Sequence, residues 1–474
     1  MNIRNKENSQ GLPLRILDLF AGTGGLSLGF EKFNGKIGRR IYEFAGAVEV
    51  DHDACETLRK NHPALVAEEE NALIFEGDLT SVEIHDKVVK RVGKSGVDII
   101  VGGPPCQSFS MIGTRSGRWV EDKKFENDRR DLLFMEYVAL VRQLQPLFVV
   151  LENVDGIRSK KDKQGQTYLS RIIGELERLG YRFEITGHDE KFLRLNAADF
   201  GVPQIRNRIF LVGNRMGITL SPPTPTHFDP NGSGVQVEGR LPWVTLWDAI
   251  GDLPQLQAHF TRSNITLDEW EERKKENESR YNGANGVPFH EKRFARHYES
   301  LGKQGKAFLD FVAASHGLVL RYHRAREQQV SDIELFEKMP EGATAKNIFE
   351  GPEELRVLSR FIRYDMESFK DKYRKQQWKR PSTTIFAHLE RDGNRFIHPD
   401  SSQARTFTVR EAARIQSFPD DYLIAGAMKK QYRQIGNAVP PLLARAIAEA
   451  IYQSLVASGH MIDGDGVVAY EEDS

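Results

Sequence analysis

Hydrophobic and polar positions along the first half of the chain alternate in a way that predicts strands separated by helices. Four short apolar runs predict buried strands, at residues 15–20, 44–50, 98–102 and 147–151. A helix-length segment at residues 131–144 lies between the last two runs. Strands separated by helices are typical of parallel βαβ units with right-handed crossovers. The pattern therefore predicts a doubly wound α/β domain, in which ligands bind at the carboxyl ends of the strands.

The pattern changes at a proline-rich stretch, residues 221–226, which suggests a domain boundary. The region that follows mixes charged helical stretches, such as residues 267–280, with irregular segments. Periodicity returns at residues 408–416, which predict a capped helix, and at 441–457, which predict an amphipathic helix. We predict a ligand-binding α/β domain at 1–215, completed by 430–474, and a smaller, irregular second domain at 216–429.

Composition agrees with a multidomain globular protein. The 474 residues are 39% hydrophobic and 28% charged, which excludes disorder along the whole chain. The formal net charge of -1 gives no overall attraction to nucleic acid, so any such binding must come from a local patch. Two cysteines, Cys55 and Cys106, are too few for a disulfide framework or a cysteine-rich zinc site, and we expect no metal.

Nothing in the pattern predicts export or membrane insertion. Residues 1–11 lack the apolar region of a secretory signal, and the apolar runs are far too short to span a bilayer. Sparse cysteine use fits a reducing compartment. We therefore expect a soluble, cytoplasmic protein.

Candidate ligand-binding residues lie after the first predicted strand, at the end of the second, and between the second and the third. A glycine-rich turn, residues 21–25, comes directly after the first strand and opens a helix, although such turns also serve purely structural purposes. Glu49 ends the second strand, where doubly wound folds present an acid to ribose hydroxyls. Asp78 follows and could bind an adenine edge. Together these acids favour an adenosine-type ligand.

Candidate catalytic residues follow the next strands. Cys106 lies in a polar loop behind two prolines, where a thiol is more plausible as a nucleophile than as a small buried hydrophobe. Glu152 directly follows the fourth strand and could act as an acid or a hydrogen-bond partner. Gln204, Arg206 and Arg208 alternate with apolar residues, which predicts that they share one face of a strand.

These motifs resemble those of the cytosine-C5 DNA methyltransferase family. The similar segments occur in the family's order: Asp-Leu-Phe-Ala-Gly at 18–22, Pro-Pro-Cys-Gln at 104–107, Glu-Asn-Val at 152–154, Gln-x-Arg-x-Arg at 204–208, a segment at 405–419, and Gln-Ile-Gly-Asn-Ala-Val-Pro at 434–440. The resemblance implies a Rossmann-like S-adenosylmethionine-dependent methyltransferase domain and an irregular target-recognition domain. The activity that it implies is that of a DNA (cytosine-5-)-methyltransferase.

The resemblance also implies roles for individual residues. Cys106 would attack C6 of a flipped-out cytosine, Glu152 would hold the N3/N4 edge, and Arg208 would contact O2 with support from Arg206. The implied residues of the S-adenosylmethionine pocket are Asp18, Phe20, Gly22, Gly24, Glu49, Val50, Asp78, Pro104, Leu133 and Asn437. Because Asn437 is near the end of the sequence, we expect the C-terminal helix to fold back onto the first domain.

Double-stranded DNA is the implied partner. Basic residues interleave with aromatics at 369–380, a pattern suited to phosphate contacts, although a charge run is more often a solvated surface. The predicted DNA contacts are Gln107, Ser108, Lys372, Arg374 and Lys375, and the segment 111–127 would close over the DNA. Action on one flipped base needs no dimer, so we expect a monomer. The family's common context implies a prokaryotic cytoplasm and a genetic partnership with a restriction endonuclease. Two alternatives stay open, an RNA cytosine-C5 methyltransferase and a catalytically silent DNA-binding relative.

Overall fold

The chain forms two compact units. A computed structural model describes residues 13–66, 72–93, 96–104, 133–162, 165–232, 238–260, 287–313, 319–364 and 372–460. Unit 1 comprises Met1–Asn196, Asn207–Pro225 and Ala438–Ser474, and unit 2 comprises Ala197–Arg206 and Thr226–Asn437. The assignment of separate catalytic and target-recognition domains stays a prediction.

Unit 1 is built on a seven-stranded sheet within the described ranges. Its strands are β1 (Leu14–Leu19), β2 (Tyr42–Glu49), β3 (Ile74–Glu76), β4 (Ile99–Gly102), β5 (Phe148–Asn153), β6 (Leu193–Asn196) and β7 (Asn207–Asn214). The spatial order is β3-β2-β1-β4-β5-β7-β6, and the pairs from β3 to β5 are all parallel. Strand β7 runs antiparallel to both of its neighbours, β5 and β6. The predicted Rossmann-like α/β fold is confirmed, and β1 and β4 lie side by side at its centre.

Among the described residues of unit 1, five helices connect or cover these strands, and a sixth comes from the C-terminal part of the chain. Their bounds are α1 (Gly25–Ile37), α2 (His52–Asn61), α3 (Val82–Val92), α4 (Leu133–Leu144), α5 (Tyr168–Arg178) and α14 (Pro441–Ala457). The main apolar core lies between the sheet and helices α3, α4 and α5. Helix α14 packs along α1, so the prediction that the C-terminal helix returns to the first domain is confirmed.

The contact between α1 and α14 depends on a glycine. A Cβ atom on Gly29 would lie 2.4 Å from Ala444 Cβ and 2.6 Å from the Pro441 carbonyl oxygen. Two further contacts extend the same interface. Lys36 Nζ pairs with Glu449 Oε1 at 2.6 Å on the exposed side, and the buried Tyr42 hydroxyl of β2 donates to the Ala448 carbonyl at 2.7 Å. The absence of a side chain at position 29 is therefore what allows the two helices to touch.

We expect alanine to have opposite effects at two glycines of α1. Gly29→Ala should lower the free energy of unfolding by about 1–3 kcal/mol, because the added methyl has no room against α14. Gly35→Ala should raise it by about 0.5–1 kcal/mol, because that position is open and alanine has less backbone entropy to lose. Urea unfolding of both variants measures the difference. Equal effects at the two positions would contradict the close packing at Gly29.

The described residues of unit 2 form short helices and little sheet. The helices are α6 (Leu246–Ile250), α7 (Glu291–Ser300), α8 (Lys303–Val312), α9 (Val330–Lys338), α10 (Ala345–Glu350), α11 (Glu353–Arg356), α12 (Val409–Ile415) and α13 (Met428–Asn437). Its strands are two-residue pairs: His227–Phe228 with Leu241–Pro242, His259–Phe260 with Glu327–Gln328, and Val287–Pro288 with Val319–Leu320. An apolar cluster around α9 and α10 forms a core. The predicted helical stretch at 267–280 lies outside the described residues.

Buried ion pairs stabilise residues 405–419, one of the segments that carry the family resemblance. Thr408 caps α12 in a capping box with Glu411, as its sequence pattern predicts. The Glu411 carboxylate also accepts two bonds from the Arg405 guanidinium, each 2.7 Å long, and this neighbouring charge keeps the pKa of Glu411 far below its usual range despite burial. Arg414 pairs with both Asp252 and Asp420 at 2.6 Å. Removing one partner of such a buried pair would leave an uncompensated charge.

Candidate active site

The glycine-rich turn after β1 is held by the acid that ends β2. Phe20, Gly22 and Gly24 all have positive φ angles, of 57°, 53° and 75°, before α1 begins at Gly25. The Gly22 amide donates to Glu49 Oε2 at 2.8 Å. Glu49 Oε1 accepts from the amides of Val50 and Asp51. The carboxylate therefore links the ends of two neighbouring strands.

Asp18 lies beneath this turn. Its carboxyl group is buried, and Oδ2 accepts a long bond of 3.4 Å from the Ser27 amide near the start of α1. Oδ1 has no hydrogen-bond partner among the described residues. Burial is the largest influence on this group and raises the pKa of Asp18 to about 7.

Exposed and polar groups suited to a nucleoside flank the ends of β2 and β3. The Gly77 amide donates to the Glu49 carbonyl at 2.9 Å, which joins the two strand ends. Asp78 is exposed there, and the Val50 side chain is 65% exposed beside Glu49. Within unit 1, Phe20 and Leu133 are both half-buried, and Leu133 is the first residue of α4. Carboxylates beside an exposed apolar side chain fit ribose hydroxyls and an adenine ring.

An ion pair lies at the end of β5, next to the end of β4. Arg208 Nε and Glu152 Oε1 are 2.7 Å apart, and each side chain is only 12% exposed. The pair forms because β5 and β7 are antiparallel neighbours, with Glu152 opposite Phe210 in the register. A Cβ atom on Gly103 would lie 3.2 Å from Glu152 Oε2, so the chain after β4 passes directly beside the carboxylate.

Asn153 joins the same two strand ends and was not singled out from the sequence. Its side-chain Nδ2 donates to the Pro104 carbonyl at 3.3 Å. Pro104 is two residues before Cys106, while Cys106, Gln107, Ser108 and the predicted closing segment 111–127 lie outside the described residues. The signal for Asn153 was its position directly after Glu152 at a strand end.

Comparison with known proteins decides the family. The model of the family described as C-5 cytosine-specific DNA methylase matches residues 14–453. The chain belongs to this family. It is accordingly a DNA cytosine-5-methyltransferase.

Relatives of this methylase agree over most of its length. It is 31% identical to the Type II methyltransferase M.AgeI of Thalassovita gelatinovora, over 92% of this chain and 99% of that protein. It is also 31% identical to the Type II methyltransferase M1.HphI of Haemophilus parahaemolyticus, over 93% of this chain and 87% of that protein. A solved structure of a prophage-encoded E. coli protein shares its fold, with a TM-score of 0.57 at 22% identity, covering 93% of this chain and 99% of that one.

The basic motif of this methylase is not one continuous strand face, so that prediction is wrong. Strand β7 begins at Asn207, and Gln204 and Arg206 precede it within unit 2. There the Ile385 amide donates to Gln204 Oε1 at 2.6 Å, while Arg206 Nη1 donates to the Ile385 carbonyl at 2.5 Å. Gln204 and Arg206 are buried, and their side-chain bonds to the Ile385 backbone hold them in place without a regular strand. Arg208, by contrast, lies in β7 and pairs with Glu152.

The prediction that Lys375 contacts DNA is wrong. Its side chain is fully buried, and Nζ donates to the Phe336 carbonyl at 2.7 Å and to Ser401 Oγ at 2.5 Å. These bonds hold unit 2 together and leave no surface for a phosphate. Lys372 and Arg374 are half-buried and stay predicted contacts.

Three further features complete the description. Asn437 is exposed at the end of α13 in unit 2. No group of three or more His, Cys, Asp or Glu side chains in the described ranges could hold a metal ion. Among the same residues, no helix has the length and apolar character needed to cross a membrane.

Proposed function

We propose that this methylase transfers a methyl group to C5 of a cytosine in a specific duplex DNA sequence, with Cys106 as the covalent nucleophile. The observation that carries the proposal is the Glu152–Arg208 ion pair, which borders the chain at Gly103 just before Cys106. Cations and carboxylates at this strand end suit a pyrimidine edge, which offers both acceptors and donors. Family membership supplies the reaction type.

S-adenosylmethionine would supply the methyl group. The buried Asp18 with its unpartnered Oδ1, the Glu49 carboxylate and the exposed Val50 and Asp78 fit the ribose and adenine of such a cofactor. Phe20, Gly22, Gly24 and Leu133 would complete the pocket in unit 1, with Pro104 at its edge. Asn437 remains a proposed contact from the last family motif.

The chemistry that falls to the chain is activation of C5, which is a poor nucleophile. The Cys106 thiolate would form a bond to C6, and the electrons of the C5–C6 double bond would make C5 enamine-like. After methylation, C5 would lose its proton to a base, the double bond would re-form, and the bond between Cys106 and C6 would break. Cys106 is thereby released unchanged.

Glu152 and Arg208 would hold the cytosine during these steps. Glu152 would bind the N3/N4 edge as an acid or hydrogen-bond partner, because N3 gains electron density as the thiolate adds to C6, and the Arg208 guanidinium would contact O2. Arg206 would act indirectly, because its bond to the Ile385 carbonyl positions the chain beside the motif. The roles proposed for Glu152 and Arg208 both depend on side chains that are already in place before the substrate binds.

The DNA substrate must be distorted for this reaction. C5 and C6 are inaccessible inside a duplex, so the target cytosine would be flipped out, at a cost of a few kcal/mol. Lys372 and Arg374, together with Gln107 and Ser108, are the proposed contacts from the sequence. The relatives are named Type II methyltransferases, and we propose that this chain likewise protects DNA beside a restriction endonuclease, as a cytoplasmic monomer.

Mapping 5-methylcytosine at base resolution tests the proposed function. DNA from a methylation-free bacterial host that expresses the chain should carry 5-methylcytosine at one short recurring sequence. The host with an empty vector should carry none. Soluble protein without methylated DNA, or methylation found only in RNA, would overturn the proposal.

A further inference from the structure

A short loop of unit 2, residues 387–395, rests on the buried arginine Arg326. Arg326 Nη1 donates to the Arg391 carbonyl at 2.8 Å, and Nη2 donates to the Leu389 carbonyl at 2.7 Å. The guanidinium also lies over the Tyr432 ring, 4.0 Å from its centroid. Gly393 has a φ of +74°, and a Cβ there would lie 3.2 Å from Arg326 Cζ. The backbone of the loop is therefore seated directly on this side chain.

Both carboxylates of the loop are engaged by neighbouring groups of unit 2. Glu390 Oε2 pairs with Arg433 Nε at 2.5 Å. Asp392 Oδ2 accepts from the Tyr364 hydroxyl at 2.7 Å, and Oδ1 accepts from the Asn394 amide at 3.0 Å. These bonds fix the turn and direct its negative charge to structural partners.

The cations of the loop have a different environment. Arg391 and His388 are exposed, and no ion-pair partner of the Arg391 guanidinium occurs within the described part of the chain. Arg395 lies over the Phe386 ring at 5.3 Å, and Lys372 Nζ lies 3.2 Å from the centroid of Tyr364.

The charges of these side chains act on one another. Partial burial lowers the pKa of Lys372, and the charges of Arg395 and Arg391 lower it further, against the opposing effect of Asp392. Burial also lowers the pKa of His388, with the same two arginines contributing. The cations thus form one patch, interleaved with aromatic rings, rather than separate surface charges.

We propose that the loop 387–395 is a DNA-contacting element of unit 2, in which Arg391 touches the substrate and Arg326 is the positioning residue that holds the loop. The inference rests on the proposed function, since DNA is the polyanion on which this methylase acts. A rigid loop with an exposed guanidinium suits phosphate oxygens or a guanine edge, because the fork of donors matches either one.

Substitution at Arg391 tests the contact. Wild type, Arg391→Ala and Arg391→Lys are compared for binding to a short duplex that contains the mapped methylation site and to a scrambled duplex, over a range of salt concentrations. Arg356→Ala is the matched control, since Arg356 is an exposed arginine of unit 2 on α11, beside two glutamates. We expect Arg391→Ala to weaken binding about 10-fold.

The pattern of the loss identifies the kind of contact. A loss on both duplexes, with a salt slope smaller by about 0.9, marks a phosphate contact. A loss confined to the mapped site marks a base contact. Affinity, salt slope and site preference equal to those of Arg356→Ala would overturn the proposal. A wild-type chain that binds DNA but never methylates it would instead count against the proposed function, and the binding comparison would still be informative.

Substitution at Arg326 tests the positioning role separately. Arg326→Met removes the two bonds to the loop, whereas Arg326→Lys keeps a positive charge but cannot donate as a fork. We expect Arg326→Met to raise the KM for DNA about 10-fold with a smaller change in kcat, and to broaden the mapped site preference. Arg326→Lys should recover part of the loss. Unchanged KM and site preference in folded Arg326→Met would overturn the role.

Discussion

Replacement of Cys106 by alanine is expected to abolish methylation of DNA, with a loss of about 10⁴-fold or more in the rate of methyl transfer. The reason is that C5 of cytosine needs a covalent bond at C6 before it can accept a methyl group. A single-turnover assay with radiolabelled S-adenosylmethionine and duplex DNA measures the rate directly.

The other cysteine provides a matched control. Cys55 is buried in α2, where its thiol donates to the Glu49 carbonyl at 3.4 Å, and burial raises its pKa to about 12. Such a thiol is inert, so Cys55→Ala should retain methylation close to the wild-type rate. DNA binding by Cys106→Ala, measured in parallel, should persist. Methylation by Cys106→Ala, or its loss only in Cys55→Ala, would contradict the assignment of the nucleophile.

The parts of the fold that could be predicted are those in which one periodic pattern determines one element. The apolar runs at 15–20 and 147–151 correspond to β1 and β5, and the helix at 441–457 was found with its observed bounds. The cap at Thr408 was equally readable, because a capping box is a local arrangement of four residues. Local hydrogen bonding and burial of one face are enough to specify such elements.

The parts that could not be predicted depend on partners distant in sequence. Gln204 and Arg206 alternate like strand residues, yet they clamp Ile385, which lies about 180 positions further along the chain. Lys375 belongs to a basic run that reads as a solvated surface, but its ammonium group satisfies a buried carbonyl. Burial of a charge becomes favourable only where such partners already exist, and no sequence window contains them.

In the candidate site, too, some features could be predicted from the sequence and others could not. The strand-end positions of Glu49 and Glu152 were predicted, because parallel strands bring their carboxyl ends to one edge of the sheet. Their bonding was not: Glu49 accepts three backbone amides, and Glu152 pairs with an arginine of an antiparallel strand. The antiparallel insertion of β7 beside β5 is a topological feature, and it alone brings Arg208 to the carboxylate.

Glu152→Gln is expected to reduce the rate of methyl transfer by about 10²–10⁴-fold, the usual contribution of a positioned acid or base. Glutamine keeps the size of the side chain but removes the charge that Arg208 pairs with at 2.7 Å. The amide cannot transfer a proton to N3, which gains electron density while Cys106 adds to C6. Single-turnover rates at saturating DNA, with cofactor affinity measured by calorimetry, separate this effect from weaker binding.

A double-mutant comparison shows whether the two residues act together. If Glu152 and Arg208 work as one unit, the combined variant Glu152→Gln/Arg208→Ala should lose less activity than the product of the two single losses. Glu136→Gln serves as the control, since Glu136 on α4 lies 3.1 Å from His85 Nε2 and has no role in the proposed reaction. A rate for Glu152→Gln equal to that of Glu136→Gln would show that the carboxylate has no part in the reaction. Strictly multiplicative losses would instead assign the two residues independent roles.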